Sequence, residues 1–168
     1  MVRVAGTLRA LTAVGLLIAC AASPGAQSAL QDYPQWRGQS RDGAASAFAE
    51  PSLWPDTLTR QWRVQVGEGY GTPILVGETV YVFTRRDGQE GVTALDAKTG
   101  AERWRSSYPV PFTPSSPSAA HGAGPKATPL FHEGSIFTLG VSGIVAAFDA
   151  PTGRLRWRTP EPAEPPYF

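Results

Sequence analysis

Few side chains in this 168-residue chain could do chemistry, and their spacing limits what that chemistry would be. Arg85, Arg86 and Asp87 form the only dense charge cluster within the patterned part of the sequence. Followed by Gly88, they read as a solvated hairpin tip. His121 stands in the segment SYPVPFTPSSPSAAHGAGP (107–125), just before Gly122, Gly124 and Pro125, where an imidazole could act as ligand or base. No partner carboxylate or second ligand accompanies it, so the plainer reading is a turn histidine bonded to backbone. His132, after an apolar stretch, is plainer still. Cys20 is the single cysteine, which rules out an internal disulfide and a vicinal pair.

The elements that must position these residues are short. Eighteen glycines and 16 prolines favour many turns over long helices, and with 42% apolar and 17% charged residues the chain reads as mostly β. The first 29 residues stand apart. Arg3 and Arg9 precede an uncharged stretch, Ala10 to Ala22, then small residues and Pro24, the pattern of a secretory signal too short to span a bilayer. Residues 30–168 keep 13 basic groups against 14 acidic ones, net −1, so nothing favours nucleic acid or anionic lipid as a partner. Leu17, Ile18, Ala19 and Cys20 resemble the lipobox of bacterial lipoproteins, which would make Cys20 a lipidation site and a membrane anchor. The alternative is cleavage after Ser28, with Ala26 and Ser28 at the recognition positions. Either way the protein is expected to be exported, to the periplasm or to a membrane surface.

Beyond a Pro, Gly, Ser and Ala-rich arm over 30–60, the sequence repeats itself. TPILVGETVYVF (72–83) and VTALDAKTGAERWR (92–105) recur as TPLFHEGSIFTL (128–139) and IVAAFDAPTGRLRWR (144–158), at offsets of 56 and 53. The three-residue difference falls at a hairpin, Arg85–Gly91 against Val141–Gly143, where a β-repeat tolerates it. The first copy divides into four strand-like stretches: Pro73–Val76, Thr79–Arg85, Val92–Asp96 and Glu102–Ser106. Val80, Val82 and Thr84 alternate with Tyr81 and Phe83, a strand apolar on both faces and therefore internal to a packed structure. Four short strands in each repeat of 40–50 residues predict a β-propeller blade.

Each repeat contains one eleven-residue string, ALDAKTGAERW (94–104) and AFDAPTGRLRW (147–157). Ala94, Asp96, Thr99, Gly100 and Trp104 recur as Ala147, Asp149, Thr152, Gly153 and Trp157. Asp and Thr can hydrogen-bond the backbone of a tight turn and Gly can take a positive φ, while Trp is expected to return over that same turn. The string resembles the tryptophan-docking motif of pyrroloquinoline-quinone (PQQ) type repeats, in which tryptophan packs on the glycine peptide and links adjacent blades. Ala101 replaces the usual basic residue, which Arg154 keeps. The resemblance covers residues 60–159 and implies an all-β, incomplete propeller. Two four-stranded antiparallel blades (repeats about 71–106 and 126–159) would be joined by an N-terminal strand, Gln61–Val66 with Trp62, of a closing blade. The chain is then expected to be the N-terminal part of a longer protein.

Two functions follow from the resemblance. One is a non-catalytic binding or scaffold module in the cell envelope, like the lipoprotein subunit of the outer-membrane β-barrel assembly machinery, with other envelope proteins as partners. The alternative is the N-terminal part of a dehydrogenase that uses PQQ and calcium to oxidise an alcohol or sugar. Such a site needs converging carboxylate and amide oxygens, an aromatic floor and a basic partner for the quinone. This segment supplies no recognisable set, so no catalytic, metal or cofactor residue is assigned and the scaffold reading is preferred. WRG at 36–38 resembles the start of exported PQQ-like repeat proteins, with Trp36 expected as the buried anchor of an arm clamped to the propeller side.

Overall fold

The computed structural model describes residues 32–45 and 51–160. The signal segment, Cys20 and the alternative cleavage site lie outside the described residues. The first repeat forms β1 (Ile74–Val76), β2 (Thr79–Arg86), β3 (Gln89–Asp96) and β4 (Glu102–Pro109). The second forms β5 (Leu130–His132), β6 (Ser135–Leu139), β7 (Val145–Asp149) and β8 (Leu155–Arg158). Each set is a four-stranded antiparallel sheet with its strands in chain order, so the protein is an all-β partial propeller.

The hairpin turns set this register. Asp87 and Gly88 both take positive φ, 50° and 75°, and pair Arg86 with Gln89. That conformation matches the right-handed twist of the flanking strands, which suits a two-residue hairpin. Because β2 and β3 then run to their full eight residues, Arg85 faces Glu90 directly across the ladder. The long interblade segment holds one short 3₁₀ helix, Ser116–His121, the one helical element among the described residues.

The sheets pack face to face through one apolar layer. Tyr81, Phe83, Val92 and Ala94 from the first meet Ile136, Ile144, Ala146 and Phe148 from the second, and Trp104 and Phe112 pack against this layer. The antiparallel order separates two ends of the structure. The turns at 77–78 and 97–101, with their counterparts at 133–134 and 150–154, lie at one end. The Asp87-Gly88 tip, the 140–144 turn and the segment after Pro109 lie at the other.

The arm holds to the blades by other residues than the expected Trp36. Tyr33 exchanges backbone hydrogen bonds with Leu75 on the free edge of β1 (2.7 and 3.0 Å), and the Phe131 amide of β5 donates to Pro34 O at 2.8 Å. The arm thus ties the first strands of both sheets through its backbone. An edge strand offers unpaired backbone groups that an extended chain can satisfy. Trp36 is not the anchor: its ring is exposed, with the Arg37 guanidinium 5.5 Å from its centroid. Residues 61–66 run alongside the first sheet without joining its ladder.

Candidate functional site

The eleven-residue strings build one end of the seam between the sheets. In the first, Asp96 Oδ1 accepts from the amides of Lys98 and Thr99 (3.0 and 2.9 Å) and from Thr99 Oγ1 (2.9 Å), closing the turn. Asp149 does the same with the Thr152 amide and hydroxyl at 3.1 and 2.7 Å. Gly100 and Gly153 sit at φ 72° and 74°, where a Cβ would be strained. The second oxygen of each aspartate takes an arginine: Arg103 Nη2 to Asp96 Oδ2 at 2.7 Å, and Arg156 Nη2 to Asp149 Oδ2 at 2.6 Å. Arg156, then Thr152, hold the Asp149 carboxyl down at about 2, and Arg103 with Thr99 depress Asp96 further still.

These two arginines were not singled out by sequence reasoning, although they recur at the same place in both strings. Each is the extra residue of a β-bulge. Trp104 pairs with Ala94 and Glu102 with Leu95, leaving Arg103 between them, and Arg156 is skipped in the same way between Leu155 and Trp157. A bulge re-aims one side chain; here it turns the guanidinium back toward the turn aspartate. Its other nitrogen reaches Thr79 Oγ1 in the first sheet (2.8 Å) and Ser135 Oγ in the second (2.9 Å), so the brace crosses the sheet.

Tryptophan does not return over its own turn, as the sequence reading expected. Trp104 lies on Gly153, the turn of the next repeat, where a Cβ would collide with its six-membered ring, and its indole Nε1 donates to Ala150 O at 3.1 Å. Tyr81 Oη donates to the same carbonyl at 3.2 Å, and its ring is tilted against Trp104. Trp62 treats the first repeat in the same way: Nε1 donates to Ala97 O at 3.0 Å, and a Cβ on Gly100 would fall 2.8 Å from the ring. The reason is directional. The tryptophan leaves its strand beside the neighbouring sheet, and each of the two turns takes both its own arginine brace and a tryptophan from outside its string. Trp157 rests against Phe137 and is 48% exposed, with no docking turn on it among the described residues.

The opposite end of the seam is polar and incompletely paired. Arg85, read from sequence as part of a solvated tip, is half-buried, and its Nη2 donates to Val110 O at 2.7 Å. Arg86 remains exposed and donates to Gln65 O, and Asp87 stays in the turn. Glu90, which sequence reasoning did not single out, is fully buried. Its Oε1 accepts from the Val141 amide of the second sheet at 2.9 Å. Arg85 Nη1, Glu90 Oε2 and Ser142 Oγ are buried without a hydrogen-bond partner among the described residues, and Tyr108 Oη lies beside Thr138 Oγ1. The signal for Glu90 was register: an acid directly opposite an arginine in a continuous hairpin.

His121 ends the 3₁₀ helix with its side chain exposed. Its carbonyl accepts from Lys126 Nζ at 2.7 Å, and that ammonium sits 4.0 Å from the Tyr70 ring centroid. His132 is exposed beside Glu133. Neither histidine is drawn into the buried cluster. Glu78 pairs with Lys98 and Glu102 with Arg105. Among the described residues, no three His, Cys, Asp or Glu side chains converge as a metal site would require.

Comparison with known proteins places this geometry. The chain is 39% identical over 123 residues to quinohemoprotein alcohol dehydrogenase ADH IIB of Pseudomonas putida, a match that takes in 71% of this chain and spans only 17% of that protein. Among solved structures, a europium-containing methanol dehydrogenase aligns at 26% identity and a TM-score of 0.39, over 57% of this chain and 16% of its own. BamB from Moraxella catarrhalis aligns at 22% identity and a TM-score of 0.34, over 54% and 22%. The family model described as outer membrane protein assembly factor BamB matches residues 41–166. With that match covering well over half its length, the chain belongs to the PQQ-like repeat family that this model describes.

Proposed function

We propose that this chain is part of an exported PQQ-like propeller that serves as a non-catalytic binding or scaffold module in the cell envelope, with other envelope proteins as its partners. The observation that carries the reading is the division of labour among its side chains. The aspartates, threonines and bulge arginines of both strings are engaged in holding turns and bulges. The second sheet also leaves Trp157 and Leu139 exposed, alongside Arg156 and Arg158 of β8. Such surface suits recognition of another protein surface. The family's description as an assembly factor supports the same reading.

A dehydrogenase is the second reading, favoured by the 39% identity to the P. putida enzyme. The resemblance implies PQQ and calcium, and the described residues do not fit that pair. Asp96 and Asp149 are tied into turns, Glu78 and Glu102 into exposed ion pairs, and Glu90 is a single buried carboxylate. No reaction step is therefore derived through them. The test is addition of PQQ and calcium to the full-length protein, with quinone uptake followed by equilibrium dialysis and dye reduction assayed with alcohols and aldoses. The scaffold reading expects neither; one quinone bound per chain together with substrate-dependent dye reduction would replace it with the enzyme.

A further inference from the structure

The buried polar end of the seam is not needed to close a turn, and its chemistry sets it apart from the docking end. Arg85, Glu90 and Tyr108 lie in one row across β2, β3 and β4, since Glu90 pairs with Arg85 on one side and Tyr108 on the other. The Glu90 carboxyl crosses into the 140–143 turn of the second sheet. One oxygen takes the Val141 amide, and the other is so close to Gly140 that a side chain there would collide with it. An ionised carboxylate has about four lone-pair sites and requires several donors when buried. Here it receives one. Arg85 has a free Nη1, but its Nη2 is held on Val110 O, the first residue after β4.

We propose that Glu90 is a proton-operated latch between the two sheets. As the neutral acid it holds the Val141 amide without an uncompensated charge. On ionisation it is drawn toward Arg85 and releases the 140–143 turn. Because Arg85 also grips Val110, the same event reaches the segment that carries His121. The charged and titratable groups around Glu90 are Arg85 from β2, Tyr108 from β4 and, over the Tyr108 ring at 5.5 Å, Arg158 from β8. The 140–143 turn supplies none. Burial is the largest influence on Glu90 and raises its pKa, outweighing the Val141 amide and Arg85, which lower it. Burial, reinforced by Glu90, pushes Tyr108 up to about 12, so the phenol stays neutral while Glu90 titrates. A raised carboxyl pKa in the folded state stabilises the seam fully below the unfolded value, and this stability is lost as pH rises through the folded value.

The test is an amide chemical-shift titration of Val141 by NMR in the full-length protein, alongside Glu90→Gln and Glu90→Ala. The latch predicts a wild-type Val141 resonance that titrates with a midpoint above 4.5, the ordinary value for glutamate. It predicts no titration in E90Q, where the amide oxygen still accepts from Val141. In E90A, hydrogen exchange at Val141 should be faster by about tenfold, the loss of one buried hydrogen bond. A wild-type Val141 shift that is flat between about pH 4 and 9, or one that titrates identically in E90Q, overturns the proposal. Should E90A fail to fold, wild type and E90Q alone give the decision.

Discussion

The two ends of the seam between the sheets are built on opposite rules. At the docking end, Asp96 and Asp149 have both oxygens occupied, and the Ala150 carbonyl takes donors from Trp104 and Tyr81. At the other end, Arg85 Nη1, Glu90 Oε2 and Ser142 Oγ are buried with no partner among the described residues. A fully paired network fixes one geometry, whereas buried groups left unpaired cost free energy and leave alternatives open. The docking end is therefore the fixed hinge of the pair, and the Glu90 end is where a change of protonation can act.

This contrast can be broken in graded ways. Trp104→Ala removes the ring that joins the sheets and its bond to Ala150; denaturant unfolding should show a loss of about 3 kcal/mol. Gly153→Ala leaves that ring in place but forces a Cβ into it at a positive φ, and about 2 kcal/mol should be lost by the same measurement. A smaller effect belongs to pH. Because the Asp149 carboxyl lies below its ordinary 3.8, at about 2, its contribution is present above pH 3.8 and fades as pH falls toward 2. Asp149→Asn should accordingly flatten the acid limb of stability against pH, measured as the urea midpoint at each pH. Trp157→Ala should be mildest, under about 1 kcal/mol, because a half-exposed ring with no docking turn on it has little to lose.

The strings were legible in sequence because turn chemistry is local. Asp, Thr and Gly at fixed spacing determine a turn wherever it occurs, and two copies gave the repeat and with it the blades. The residues alone did not give the tryptophan's partner, since the choice between its own turn and the next depends on which sheet the strand faces; the resemblance to the docking motif implied the link to the adjacent blade that Trp104 makes on Gly153. Trp36 misled for a related reason. A large apolar residue reads as an anchor, but in this arm the backbone of Tyr33 and Pro34 does the anchoring. Glu90 and Arg85 were missed as a buried pair because residues beside an Asp-Gly turn usually meet solvent. The 140–143 turn of the second sheet covers Glu90, and the cross-strand Arg85–Glu90 register, the one local signal, does not by itself announce burial.

The central claim, that a tryptophan of one sheet is seated on the glycine turn of the next, is tested most directly by a double-mutant cycle between Trp104 and Gly153. The account predicts strong coupling: with Trp104→Ala already made, Gly153→Ala should cost at least about 1 kcal/mol less than it does alone. Costs that add to within about 0.5 kcal/mol would contradict it, because the two residues would then act independently.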